Sequence, residues 1–141
     1  MTEAPLISTI ISIGLIPVAF LFIHAFLSGP KRWKYHNVTG LFAIIWDLSM
    51  SIGYMLFRTF GGQIEGSSLE ITGLILIYFI VHGVVSLIVI LLEISVLTTG
   101  LLQWKKIIKT IWHGKLAKIL FILWWFAFLT GEIFYIVTYV I

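Results

Sequence analysis

Four histidines, His24, His36, His82 and His113, three acids, Asp47, Glu93 and Glu132, and one arginine, Arg58, lie within or at the edges of long apolar runs. Neutral imidazole is an axial ligand for haem iron, and imidazole with carboxylate suits copper, iron or zinc. An ionisable group in hydrocarbon costs a few kcal/mol on insertion scales, so each of these residues either has a task or is matched by a partner. Their spacing is ordered. His82 and Glu93 are eleven residues apart, which at about 100° per residue returns them to nearly one helical face, roughly 16 Å apart along the axis. His36, Asp47 and Arg58 repeat that interval. Two polar stripes therefore run along otherwise lipid-like rods.

Three chemistries compete for these groups. A haem between two imidazoles is one, and by depth the best pair is His36 with His113, at the starts of two spans; His24 and His82 differ in depth by roughly 9 Å. A metal site drawn from His24, Asp47, Glu93, His36 or His113 is another, although the sequence has no HxxH or HExxH. The third is mutual satisfaction: Arg58 with Glu132 at similar depth, Asp47 and Glu93 accepting from His24, Trp46 or hydroxyls, and His36 and His113 at headgroup level. No nucleophile with a positioned base and no glycine-rich phosphate loop is present, which argues against an enzyme. With no cysteine in the chain, disulfides, thiolate metal sites and iron–sulfur clusters are excluded.

The elements that must position these residues are transmembrane helices. Sixty per cent of the 141 residues are hydrophobic, 11% are charged, and the mean hydropathy is +1.12, far from a soluble domain. The apolar runs predict four spans, about 6–27, 38–60, 70–102 and 116–140, each long enough for a bilayer. The length leaves no room for a folded extramembrane domain. The first span contains Pro17 and is closed by Gly29-Pro30; the N-terminus lacks the basic start and cleavage site of a signal peptide, so the span is expected to be retained. Ser49 and Gly53 form a small-xxx-small pair that favours close helix approach. Gly61 to Ser68 reads as a turn, and Ser67 with Glu70 has capping-box spacing for the third span.

Between spans three and four, Trp104, Ile107, Ile108, Ile111 and Trp112 share one helical face and Lys105, Lys106 and Lys109 the other. This is the pattern of a short amphipathic segment in the headgroup plane, or of a continuation of span three. Trp33, Trp104 and Trp112 read as belt residues, and Trp124-Trp125 as a packing or lipid-facing pair. Eight of the nine Lys and Arg residues lie in or beside the loops after spans one and three, whereas Glu3, Glu65 and Glu70 lie at the opposite ends. The positive-inside bias then places both termini outside the cell membrane, and it accounts for the basic pI without nucleic acid. The Asn37-Val38-Thr39 sequon falls on the cytoplasmic side. The two halves share an inward span, a basic loop ending in a histidine and a returning span with a buried acid, without a sequence repeat.

Three features carry a family resemblance: His36 entering span two in Lys34-Tyr35-His36-Asn37, His82 eighteen residues before Gly100, and His113 eighteen residues before Thr130-Gly131. From about Pro5 to its C-terminus the chain resembles the CtaM-like family of small four-span membrane proteins linked to maturation of haem–copper oxidase. The resemblance implies a non-enzymatic role in assembly or haem maturation of such an oxidase, with its subunits and membrane lipids as partners, haem as the cofactor handled, and His36, His82 and His113 as candidate ligands. Where the family has a further histidine at the outer end of span two, this chain carries Arg58, which cannot ligate iron or copper at ordinary pH. That departure opens two alternatives, a small accessory subunit resident in a respiratory oxidase complex and a small b-type electron carrier using His36 and His113.

The expected architecture is thus an all-α integral membrane protein, a four-helix bundle in one domain, with His24, Asp47, Arg58, Glu93 and Glu132 as buried polar residues.

Overall fold

A computed structural model describes residues 5–31, 34–60 and 72–141. Four helices follow in order: α1, Leu6–Ser28; α2, His36–Phe60; α3, Gly73–Trp104; and α4, Trp112–Tyr135, whose last turn relaxes into π-helix over Ile136–Val140. Each is long and apolar enough to cross a membrane, as expected of a multi-pass membrane protein. Arg32, Trp33, Glu3, Glu65, Glu70, the turn from Gly61 to Ser68 and the capping pair Ser67 and Glu70 lie outside the described residues, as does the expected start of the third span at residue 70.

The helices are arranged as two antiparallel hairpins, α1 with α2 and α3 with α4, each packed more intimately within itself than against the other. One end of the bundle carries Lys31 and Lys34 together with Lys105, Lys106 and Lys109; the start of α1 and the C-terminal Ile141 lie at the other. We refer to these as the basic end and the termini end. Where the hairpins meet, Val18, Phe22, Ala43, Ile44, Val96, Leu120 and Trp124 form a buried core. The remaining faces are apolar and exposed, as lipid-facing surfaces require, for example Phe20, Phe42, Leu91 and Ile122.

Close approach inside the hairpins relies on glycine, though not on the pair singled out above. Ser49 is exposed and its hydroxyl bonds the Ile45 carbonyl of its own helix, and a Cβ on Gly53 would meet nothing within 4 Å. They sit about 160° and 120° around α2 from the buried Asp47, which turns them outward. The close contacts are instead Gly14 on Met50, Gly29 on His36, Gly100 on His113 and Gly131 on His82.

The connection between α3 and α4 is not a helix. α3 ends at Trp104, and residues 105–111 form a turn and an irregular stretch. Lys106 adopts φ +58°; its N–H bonds the Gln103 carbonyl at 2.9 Å, and the Ile107 N–H reaches back to Leu102 at 3.0 Å. This is a Schellman cap, which consumes the last carbonyls and prevents the helix from continuing. The amphipathic pattern in this stretch is therefore displayed on a turn: Gln103 bonds the Thr110 carbonyl across it at 2.5 Å, and the Thr110 hydroxyl accepts the Trp112 N–H at 3.0 Å where α4 starts.

Candidate functional site

All four histidines bond a hydroxyl residue of the neighbouring helix, and three of them, His36, His82 and His113, also pack against the glycine that follows it. His113 of α4 bonds through Nδ1 to the Val96 carbonyl at 3.1 Å and lies 3.2 Å from the Thr99 hydroxyl, with its Cε1 against Gly100. His82 of α3 bonds through Nδ1 to the Thr130 hydroxyl at 2.9 Å, with Cε1 against Gly131. The two arrangements are related by the antiparallel register of the hairpin. On each helix the Thr-Gly pair follows the histidine by seventeen and eighteen residues, about five turns, so both motifs share a face and each histidine meets the other helix's Thr-Gly. In the first hairpin His36 bonds the Ala25 carbonyl at 2.8 Å and Ser28 at 3.2 Å beside Gly29, and His24 bonds the Thr39 hydroxyl at 2.9 Å, while Gly40 faces Ala25 instead.

These bonds decide which ring nitrogen carries the proton. A carbonyl only accepts, so Nδ1 of His36 and His113 must donate. The hydroxyls of Thr39 and Thr130 each give their hydrogen to a carbonyl of their own helix, at 2.9 Å to Tyr35 and 2.8 Å to Phe126, and so accept from His24 and His82. A neutral ring held by Nδ1–H presents Nε2 as a lone pair. Metal-ligating histidines are oriented in this manner, the second nitrogen bonded to a carbonyl or carboxylate.

His36 and His113, although from different hairpins, come together at the basic end with ring centroids 6.2 Å apart and planes at 81°. Taking a metal–imidazole bond as about 2 Å and the ring nitrogen as about 1.1 Å from its centroid, two imidazoles on opposite sides of one metal have centroids about 6 Å apart. The centroid separation of the pair matches that of two imidazoles on one metal ion or one haem iron. Among the described residues no group of three or more His, Asp or Glu could hold a metal. The wider mixed site of imidazoles and carboxylates considered from sequence is not assembled.

The acids take other partners. Asp47 is buried and accepts the Trp124 indole N–H at 2.9 Å and the Ser51 hydroxyl at 3.2 Å. Trp46, the expected donor, is exposed and points to Met50. Trp124 is one member of the pair read as packing or lipid-facing; it is 3% exposed, stacked between Phe22 and Phe128, and its role as a donor had no sequence signal, since it rests on a contact across 77 positions. Glu132 does not meet Arg58. Its carboxylate accepts the Ser12 hydroxyl of α1 at 2.6 Å, and Arg58 is exposed near the end of α2. The arginine side chain is long enough to keep its charge at the helix end, which removes the need for a buried pair. Glu93 is completely buried, and neither of its oxygens has a hydrogen-bond donor.

Above Asp47, toward the termini end, the hairpins part around a cavity of about 720 Å³. His82, Arg58, Glu132, Asp47 and Trp124 all border it. It extends from Arg58 to Asp47, eleven residues along α2, about 16 Å. Tyr78, whose hydroxyl bonds the Thr130 carbonyl, closes one side. Thus the structure joins two of the three candidate ligands, His36 and His113, and puts the third, His82, in the wall of a separate cavity. No family model, no curated protein and no solved structure matches the chain.

Proposed function

We propose that this chain is a non-enzymatic multi-pass protein of the cell membrane, termini outside, that acts in assembly or haem maturation of a haem–copper terminal oxidase by holding haem iron or its precursor metal between His36 and His113. The observation that carries this reading is the approach of these two imidazoles, each anchored through Nδ1–H so that Nε2 is presented as a ligand. When bound, the iron would supply redox and ligand-exchange chemistry; the chain supplies two nitrogen donors on half-buried rings and their anchoring. Each imidazole comes from a different hairpin, so a modest separation of the hairpins would release the cargo, which suits a carrier. The resemblance to the CtaM-like family supplies the oxidase context, and the four spans supply the membrane context.

The test is the visible spectrum, oxidised and reduced, of the protein purified from its own membranes in mild detergent. Low-spin haem bands that vanish in His36→Ala and in His113→Ala but persist in His24→Ala are expected. Bands that survive either of the first two substitutions would overturn the assignment. Reversible redox cycling of stoichiometric haem would favour the electron carrier, and stoichiometric co-purification with the mature oxidase the resident subunit.

A further inference from the structure

Glu93 presents a problem that the histidine site does not absorb. Its side chain is 0% exposed at the middle of the bundle, and no N–H or O–H donor reaches either oxygen. A carboxylate left this way in an apolar interior costs several kcal/mol. Asp47, 2% exposed, lies in the same inter-hairpin core: it is three and four residues from Ile44 and Ala43 on α2, as Glu93 is three from Val96 on α3, and those apolar residues belong to one buried cluster, so the two carboxyls share one depth and interact electrostatically. Two carboxylates are both acceptors. Contact between them becomes a hydrogen bond only when a proton lies between the two.

The surroundings are unequal on the two sides. Toward the termini end, Asp47 forms the floor of the 720 Å³ cavity, with Ser51, Ser12 and Glu132 along its walls. Toward the basic end, Ala43, Ile44, Val96 and Leu120, three or four residues beyond Asp47, Glu93 or Trp124 on their own helices, form a packed apolar layer between the acids and the pair His36 and His113. The ligand that fits two neighbouring buried carboxyls, one without any donor, at the closed end of a cavity that carries Ser51, Ser12 and Glu132 among apolar walls is a proton.

We propose that Asp47 and Glu93 form a proton-exchange site served from the termini side alone. Water in the cavity delivers a proton to Asp47; Asp47 passes it to Glu93, which becomes a neutral carboxylic acid, and Asp47 returns to a carboxylate held by Trp124 and Ser51. No bond other than O–H forms or breaks, and release runs the same path in reverse. The apolar layer keeps this proton from the histidine end, so the protein exchanges charge with one side of the membrane without conducting across it. The site is independent of whether the histidines bind haem.

Infrared spectroscopy of the full chain in lipid bilayers tests this. A carbonyl stretch from one protonated carboxyl is expected, downshifted as deuterium oxide exchanges in, and lost in Glu93→Gln. Ala127→Phe, which fills the cavity wall without replacing either acid, should slow that exchange severalfold. In the unaltered protein, a hydrophobic carbodiimide, which adds the protonated carboxyl across its C=N bond, should leave its adduct at Asp47 or Glu93 on peptide mass mapping; this measurement stands even if a variant fails to fold. A wild-type spectrum with no such stretch, a stretch unchanged in Glu93→Gln, an exchange rate indifferent to Ala127→Phe, or an adduct confined to other acids would each overturn the proposal.

Discussion

The glycine contacts separate structural from permissive positions residue by residue. A Cβ on Gly100 would stand 2.9 Å from His113 Cε1, closer than side chains tolerate, whereas one on Gly53 meets nothing within 4 Å. Gly100→Ala should therefore push the His113 ring off the Val96 carbonyl and destabilise the protein by about 1–3 kcal/mol, while Gly53→Ala should be neutral or stabilising by up to about 1 kcal/mol. Equilibrium unfolding in detergent compares the two. Trp124→Phe keeps the stack with Phe22 and Phe128 but removes the only indole donor to Asp47 Oδ1. Leaving a buried acceptor without its donor costs about 1–3 kcal/mol, and the same unfolding measurement should show a loss in that range, larger than that of Ser51→Ala, whose bond is longer at 3.2 Å.

Among the elements, the end of α3 is the place where local chemistry and the adopted structure disagree. The sequence places lysine at the left-handed position of the Schellman cap, φ +58°, where glycine has no Cβ to crowd the following carbonyl. The left-handed conformation costs an L-residue about 1–2 kcal/mol, partly offset by the entropy glycine loses on folding. Lys106→Gly should accordingly stabilise the protein by about 0.5–1 kcal/mol, and Lys106→Val, β-branched, should do the reverse. The pairing of α3 with α4 has a different logic. Two antiparallel helices that each carry a histidine and, five turns on, a Thr-Gly pair satisfy both histidines in a single register. Slipping that register by one turn would lose both sets of bonds together.

For the whole molecule, the consequential feature is that the site lies between hairpins. His36 belongs to the first and His113 to the second, and Asp47 meets Trp124 across the same divide. The proposed orientation in the membrane rests on the asymmetry of charge, and the absence of cysteine from the chain makes it directly measurable. A single Lys109→Cys should react with an impermeant maleimide only from the cytoplasmic side of intact cells or right-side-out vesicles, and Ile141→Cys only from the outside. The opposite labelling pattern would invert the bundle and assign the cavity and its acids to the cytoplasmic face.

The number of helices, their approximate bounds and their all-α membrane class were determined by the sequence itself, because a long apolar run has no other stable arrangement in a bilayer than a helix with its backbone bonds satisfied internally. Depth along each helix was legible for the same reason, and depth sufficed to single out His36 with His113. Azimuth and partnership were not. Which side of α2 faces inward turned on packing, so Ser49 and Gly53 were misplaced; Glu132 took Ser12 instead of Arg58 because a long side chain at a helix end keeps its charge there. The eighteen-residue spacings were visible along each helix, but only the antiparallel docking of α3 on α4 turned them into crossed contacts, His82 with Gly131 and His113 with Gly100. Tertiary structure alone decided that Trp124 donates to Asp47 and that Glu93 is buried without a donor, since both depend on which side chains from distant parts of the chain arrive at the same depth and the same face.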